Sequence, residues 1–300
     1  MLADEEVAAI WSSRDSVVLK VMTNLLSQRL LPILSKRCFH LKGHGGLKGA
    51  IREVQAVLPE YRFFCKTDVH SFYDNIDHRR LLFQLQEHVR DRRLIGYVWQ
   101  FLNRSIEWGG LFKDVRRGVA RSCSLSPLMG ALYLLELDRE MERHDVRYIR
   151  FMDDLLILSR TRWKLKRAVK AMNSILGRYG MEKHPRKTDM GRVERGFDFL
   201  GYRLSPGDIA VADKTLVNFL GRAFRLQEQG RTRRKAEPSA SRSLGRYVRG
   251  WLWWCRRGLR VKPDKGTILV RAMKLLQSLC EQAGGSWLRD FVVSSLSVFA

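Results

Sequence analysis

Residues 148–159, YIRFMDDLLILS, set two adjacent carboxylates, Asp153 and Asp154, inside an otherwise apolar run. Neighbouring negative charges repel, and burial makes each one costlier. A positive charge is therefore expected beside them. A third carboxylate lies in YRFFCKTDV, an aromatic and β-branched segment that reads as a strand ending near Asp68. The 148–159 stretch reads as two short strands joined at residues 152–154. Side by side in one antiparallel sheet, these strands would bring Asp68, Asp153 and Asp154 to one end. Hard divalent cations take oxygen ligands, and Mg²⁺ is commonly held by one or two carboxylates plus substrate phosphates. Two such ions about 3.5–4 Å apart clamp the attacking and leaving oxygens of an in-line phosphoryl transfer. The bland alternative is a solvated hairpin turn, where Asp is common. The apolar flanks, and the lack of Gly or Asn beside the pair, count against it.

The elements that must position these residues follow from patterning. Residues 13–31 place Val17, Val18, Val21, Met22, Leu25 and Leu26 at helical spacing, with Ser12 and Asp15 at the cap. HLKGHGGLKGA reads as a basic, Gly-rich loop feeding a short helix. Asp77 is placed to cap the next helix. GGLFKDVRRGV reads as a hairpin. Ser126 and Pro127 open a helix as cap and first residue, continued by LMGALYLLELDREME. Thr161 caps a helix whose apolar side carries Trp163, Leu165, Ala168, Val169, Met172 and Leu176, and Gly180 stops it. Strands are expected over 187–193 and 197–204, joined by ERG. Residues 227–243 are polar and basic and read as a flexible connector, followed by a helical region from LGRYVRGWLWWCRRG. The fold class expected is α+β with a basic helical appendage.

With 300 residues, 45% of them hydrophobic, the chain can bury a sizeable core. Lys and Arg number 55 against 31 Asp and Glu, a net charge of +24, which points first to nucleic acid as a partner. No apolar run approaches the roughly 18 residues of a spanning helix. The N-terminus MLADEEVAAI is acidic and has no signal-peptide pattern, so a cytoplasmic protein with no membrane partner is expected. The five cysteines form no CxxC pair, so neither a zinc ribbon nor a disulfide framework is suggested.

Five blocks together resemble the reverse transcriptases. FMDD (151–154) resembles their [Y/F]-x-D-D box, and KTDVHSFYDNIDH (66–78) their first catalytic block. GVARSCSLSPLMGALYL (118–134), EKHPRKT (182–188) and GFDFLGY (196–202) resemble the three blocks around and after the box. The likeness is greatest to bacterial enzymes of the group II intron type and covers residues 14–205 well. It implies a right-hand polymerase palm, an antiparallel sheet with packed helices, with partial fingers and a small C-terminal helical thumb. The implied boundaries are fingers at 1–66 and 78–120, palm at 67–77 and 121–206, connector at 207–243 and thumb at 244–300.

The resemblance also implies roles. Asp68 and Asp153, with the Val69 carbonyl, would hold two Mg²⁺ ions, for which Mn²⁺ can substitute, and Asp154 would assist. A primer 3′-hydroxyl attacks a dNTP and pyrophosphate leaves. Tyr73 stands where the family places a steric gate against ribose; otherwise it is a core aromatic, a role Phe72 fits better. Lys187 matches a lysine that protonates pyrophosphate; its alternative is a solvated lysine. Phe199, Leu200 and Gly201 would place the primer end. Arg121 stands where the family contacts nucleotide or template. Here the chain departs: Ala120, Arg121 and Ser122 replace the usual Pro, Gln or Arg, and Gly. The family's upstream fingers block is not evident, so Arg14, the loop at Lys42–Lys48, an RNA, a partner protein or a second copy is expected to complete the fingers.

Arg231, Arg233, Arg234, Lys235 and Arg242 fall in the connector. Arg246, Arg249, Arg256, Arg257 and Arg260 follow it, interleaved with Trp251, Trp253 and Trp254. Such residues neutralise phosphates without reading sequence. Tryptophans packed inside and arginines facing a template–primer duplex are expected. The partners implied are an RNA template, nascent DNA and dNTPs. Three biological roles stay open: anti-phage defence with a dedicated non-coding RNA, a retroelement, or repair. An RNA-binding scaffold with a vestigial site is the competing function.

Overall fold

The structure, a computed structural model, describes residues 10–233 and 239–258. These fall into two compact units, one of residues up to 50 with 60–193, the other of 51–59 with residues from 194 onward. The first unit opens with α1 (Ser13–Leu30), capped by the Ser12 hydroxyl, which accepts from the Asp15 N–H. α1 buries Leu19, Met22, Leu26 and Leu30. Val17, Val18, Val21 and Leu25 are exposed instead of packed, because the helix carries two apolar stripes and only one meets the core. α2 (Gly46–Val57) leads from the first unit into the second.

β1 (Phe63–Asp68) ends where expected, and Asp77 caps α3 (His78–Gln86) by accepting from the Arg80 N–H. After α4 (Arg92–Leu102), the hairpin of β2 (Ser105–Trp108) and β3 (Leu111–Asp114) turns at Gly109 and Gly110, so its first strand lies upstream of the predicted segment. The helix expected from Ser126 is two helices, α5 (Ser126–Tyr133) and α6 (Leu135–Arg143). Leu134 (φ −96°, ψ 15°) breaks it. Leu125, not Ser126, is the N-cap residue, because the Ser126 hydroxyl is turned to the Ala120 carbonyl.

β4 (Arg147–Phe151) and β5 (Asp154–Ser159) form the hairpin predicted for YIRFMDDLLILS. Thr161 caps α7 (Arg162–Arg178), and Gly180 at φ 63° follows its end. Trp163 is exposed rather than part of the apolar side, since it lies off the stripe of Leu165, Ala168, Val169, Met172 and Leu176 that α7 buries. β6 (Asp189–Arg192) completes a four-stranded antiparallel sheet in the order β4-β5-β1-β6. One core joins Cys65, Tyr148, Leu155 and Ile157 of this sheet to Leu128, Leu132, Leu165 and Met172 of the helices. The strongly apolar β5 is the reason: a central strand covered on both faces has no polar alternation.

The second unit holds a separate three-stranded sheet of β7 (Phe197–Phe199), β8 (Tyr202–Ser205) and β9 (Asp208–Val211). The strand expected over 197–204 is therefore a hairpin, and it does not pair with β6. Leu200 (φ 47°) and Gly201 (φ 85°) form its two-residue turn, with the left-handed pair that tight hairpins require. α8 (Asp213–Arg233) and α9 (Ser239–Gly258) occupy most of the expected flexible connector. Low apolar content misled there, because Arg, Lys, Gln, Glu and Ala are good helix formers.

Candidate active site

The register of β1 and β5 sets Asp68 opposite Asp154. Strand alternation puts both on the face of Phe64 and Leu158, opposite that of Cys65 and Ile157. Asp153 is the second residue of the two-residue turn between β4 and β5. Its carbonyl accepts from the Val69 N–H at 3.2 Å, tying the turn to the residue after Asp68. The Asp153 carboxyl feels the Asp68 charge across the strand ends. Burial first, then the Asp68 charge, push Asp153 up to about 6. Burial first, then Asp153 and Asp68, push Asp154 up to about 7. Repulsion of this kind is relieved by cations.

Lys187 supplies one positive charge: its Nζ donates to Asp68 Oδ2 at 2.8 Å, and this bond holds the ammonium above its ordinary value. The lysine is half-exposed and ion-paired at once. Its turn is anchored by the His184 N–H, which donates to the Asp68 carbonyl at 2.7 Å. Among the described residues no three His, Cys, Asp or Glu side chains converge into a ready metal-binding group. The donors at hand are the Asp68 and Asp153 carboxyls and the Val69 carbonyl, to which no described residue donates a hydrogen bond. An all-oxygen set fits a hard divalent cation.

Asp68, Tyr73, Arg121, Ser122, Asp153 and Lys187 line one open cleft of about 880 Å³. Phe72 is buried and Tyr73 half-buried, their rings edge-on at 5.0 Å. α5 seats on them through Gly130, where a Cβ would lie 2.9 Å from the Phe72 ring. Gly118 (φ 89°) is required for a second close approach, since a Cβ there would meet the Asp74 carbonyl at 2.9 Å. The Val119 N–H then donates to the Tyr73 carbonyl at 2.8 Å. Arg121 Nη2 pairs with Asp74 Oδ2 at 2.6 Å, and Ser122 adopts φ 65°. Ser122 thus has a backbone of the kind that glycine adopts most readily.

Sequence reasoning missed the residues behind the turn. Arg150 is wholly buried and bidentate to Asp138, also wholly buried: Nε–Oδ1 is 2.7 Å and Nη2 meets Oδ2. The Tyr148 hydroxyl donates to the same Oδ1 at 3.0 Å. His40 contacts the turn from the loop after α1, and burial, then the Arg150 charge, push it down to about 4. A lone Arg within YIRF was a signal that could have been read; His40 gave none.

In the second unit, Gly201 packs on Trp254, whose ring a Cβ would meet at 3.0 Å, and its carbonyl accepts from Thr215 Oγ1 at 3.1 Å. Phe199 is buried. Trp251 stacks on Phe219 at 3.9 Å, and Trp254 on Tyr202 at 4.9 Å. Trp253 is exposed, against expectation, because α9 buries the stripe Val248, Leu252 and Cys255 and Trp253 lies off it. Arg246 and Arg249 are exposed on α9. The side chains of Arg231, Arg233, Arg242, Arg256 and Arg257 lie outside the described ones, as do Arg234, Lys235, Arg260 and Cys280 altogether.

Residues 12–204 match the family described as reverse transcriptase (RNA-dependent DNA polymerase). That is well over half of the chain, which belongs to this family. It is 24% identical over 211 residues to Protein YkfC of Escherichia coli, covering 55% of each. It is 26% identical over 90 residues to the group II intron-encoded protein LtrA of Lactococcus lactis, covering 30% of this chain and 15% of that protein. The chain thus spans about half the length of the first of these and much less of the second. Among solved structures, a telomerase from Candida albicans in complex with a fragment of telomeric RNA superposes with TM-score 0.50 at 13% identity, covering 93% of this chain and 56% of that one. An apo telomerase from Candida tropicalis gives 0.50 at 15%, covering 68% and 40%. Together with the antiparallel sheets, these define a reverse-transcriptase-like polymerase fold.

Proposed function

We propose that the chain is an RNA-directed DNA polymerase that adds dNTPs to a primer 3′-hydroxyl on an RNA template. The observation that carries this is the pairing of Asp68 with Asp154 at the ends of β1 and β5, with the Asp153 turn tied to Val69 beside them, in a chain of this family. The family generally uses divalent metal ions. Asp68, Asp153 and the Val69 carbonyl would hold Mg²⁺, which when bound activates the attacking hydroxyl and neutralises the leaving pyrophosphate. Asp154 adds negative charge from the strand behind. Lys187, which donates to Asp68 at 2.8 Å, would give a proton to pyrophosphate. The Tyr73 ring, backed by Phe72 and α5, cannot retreat from a ribose 2′-hydroxyl, which selects dNTPs. The β7–β8 turn with Phe199, Leu200 and Gly201 would place the primer end. Arg246, Arg249, Arg256 and Arg257 would track the duplex backbone. In this reading residues 67–77 and 121–206 are palm, 1–66 and 78–120 fingers, and the helices from α8 onward connector and thumb.

Primer extension on an RNA template with Mg²⁺ and dNTPs tests the reading. Asp153→Ala is expected to lower the rate by about 10³-fold or more. A wild-type chain without product, or full activity in Asp153→Ala, overturns it. One observation favours a second reading, an RNA-binding scaffold with a silent site: the Lys187 ammonium already offsets the charge of Asp68. RNA binding without any dNTP-dependent product would select that reading. Sequencing the RNA that copurifies, and the DNA made from it, separates defence, retroelement and repair.

A further inference from the structure

The turn that presents Asp153 begins with Met152 at φ 57°, a left-handed backbone that a side chain other than glycine adopts at a cost. A positive φ at the first turn residue alone is the pattern in which hairpins usually place glycine. Both polar backbone groups of Met152 are held by side chains, one from the distant His40 and one from Arg150 two residues before it. Its N–H donates to His40 Nδ1 at 2.8 Å. Its carbonyl accepts from Arg150 Nη1 at 3.2 Å. The other imidazole nitrogen, Nε2, donates to the Pro127 carbonyl at 3.1 Å, in the first turn of α5. One nitrogen must therefore accept and the other donate, which is the neutral Nε2–H form of the ring. The ring also meets Phe151 edge-on at 6.0 Å. His40 thus bridges the hairpin tip to the start of α5, while Arg150 grips the same residue from behind.

We infer that His40 is a positioning residue for the polymerase reaction: through Met152 it fixes where the Asp153 carboxylate stands relative to Asp68. The inference rests on the proposed function. His40 touches neither nucleotide nor metal; it acts through the backbone of the turn. Small displacements of a group that must meet a reacting atom cost rate more than binding.

Two substitutions separate the geometry from simple packing. His40→Leu keeps bulk and removes the hydrogen bonds to Met152 and Pro127 together with the 3.4 Å contact of Nδ1 with Cys38 Sγ. His40→Gln can accept from the Met152 N–H through Oε1 and donate to Pro127 through Nε2. In primer extension with the full chain, His40→Leu is expected to lower kcat about 10- to 100-fold and to raise the Mg²⁺ concentration at half-maximal rate. The dNTP KM and the template–primer affinity stay within about 2-fold of wild type. The rise in thermal midpoint on adding Mg²⁺ shrinks in His40→Leu, and His40→Gln recovers most of kcat. A purely structural role predicts that both variants lose rate in step with thermal stability, with no shift in Mg²⁺ dependence. That result, or His40→Leu at wild-type kcat, overturns the inference. Should His40→Leu not fold, His40→Gln is compared with His40→Asn, which is too short to span both partners; equal kcat in these two overturns it. A wild-type chain that extends nothing ends the polymerase reading and the inference together. A wild-type chain that extends, matched by His40→Leu, ends the inference alone.

Discussion

Three non-glycine residues of the cleft wall lie in the left-handed region, Ser71, Ser122 and Met152, and the last two are held in different ways. Met152 (φ 57°) is gripped at both its N–H and its carbonyl by His40 and the wholly buried Arg150. Ser122 (φ 65°) sits in a loop tied down at its edges, by the Arg121–Asp74 pair and by Ser126 on Ala120, with Arg121 and Asp74 both reaching solvent. The first arrangement suits a backbone that must hold one geometry while charge builds beside it. The second suits a wall that adjusts to what enters the cleft. The difference shows that a strained turn at a site is maintained by what lies behind it, not by the residue that bears the strain.

The sharpest way to break the contrast is to remove Arg150. Arg150→Met leaves Asp138 buried and unpaired, so a loss of about 3–5 kcal/mol is expected in a denaturant titration, with extension lost alongside. Asp138→Asn should follow the same course.

The acids at the turn make a pH-dependent contribution to stability. Asp153 and Asp154 are raised to about 6 and about 7 from an ordinary value of 3.8. In the metal-free folded chain they therefore keep protons that the unfolded chain releases. Stability contributed by these groups is present below about pH 4 and is lost as pH rises to about 7. In chelator, the thermal midpoint is expected to fall by about 3–6 °C between pH 5 and 7.5, and Asp153→Asn should flatten much of that slope.

Effects at the loop are smaller and of another kind. Arg121→Ala is expected to raise the dNTP KM roughly 3- to 10-fold with little change in kcat, as for one partly solvated charged contact. An equal fall in kcat would place Arg121 with the rigid wall instead. Ser122→Gly, which sets glycine at a positive φ, should raise the thermal midpoint by about 1–3 °C.

Much of the site is legible in the sequence. Aspartates flanked by apolar runs mark strand ends, because strands with such composition must be covered, and the pairing of Asp68 with Asp154 follows from sheet register. Caps at Ser12, Asp77 and Thr161 are legible because they act over three or four residues. The split of the long helix at Leu134, the hairpin at 200–201 and the helices through the basic segment are not, since each depends on partners far along the chain.

Residue types and short spacings were enough to specify the carboxylate cluster, the aromatic residue beside it and the strong positive charge. How Asp153 is held came from the packing of distant segments. His40 is 112 residues from Met152, while Arg150, two residues from Met152, is fixed by Asp138 of the preceding helix. Hydrogen bonds between such distant residues leave no local pattern, yet in a buried site they set the geometry that the local pattern only makes available.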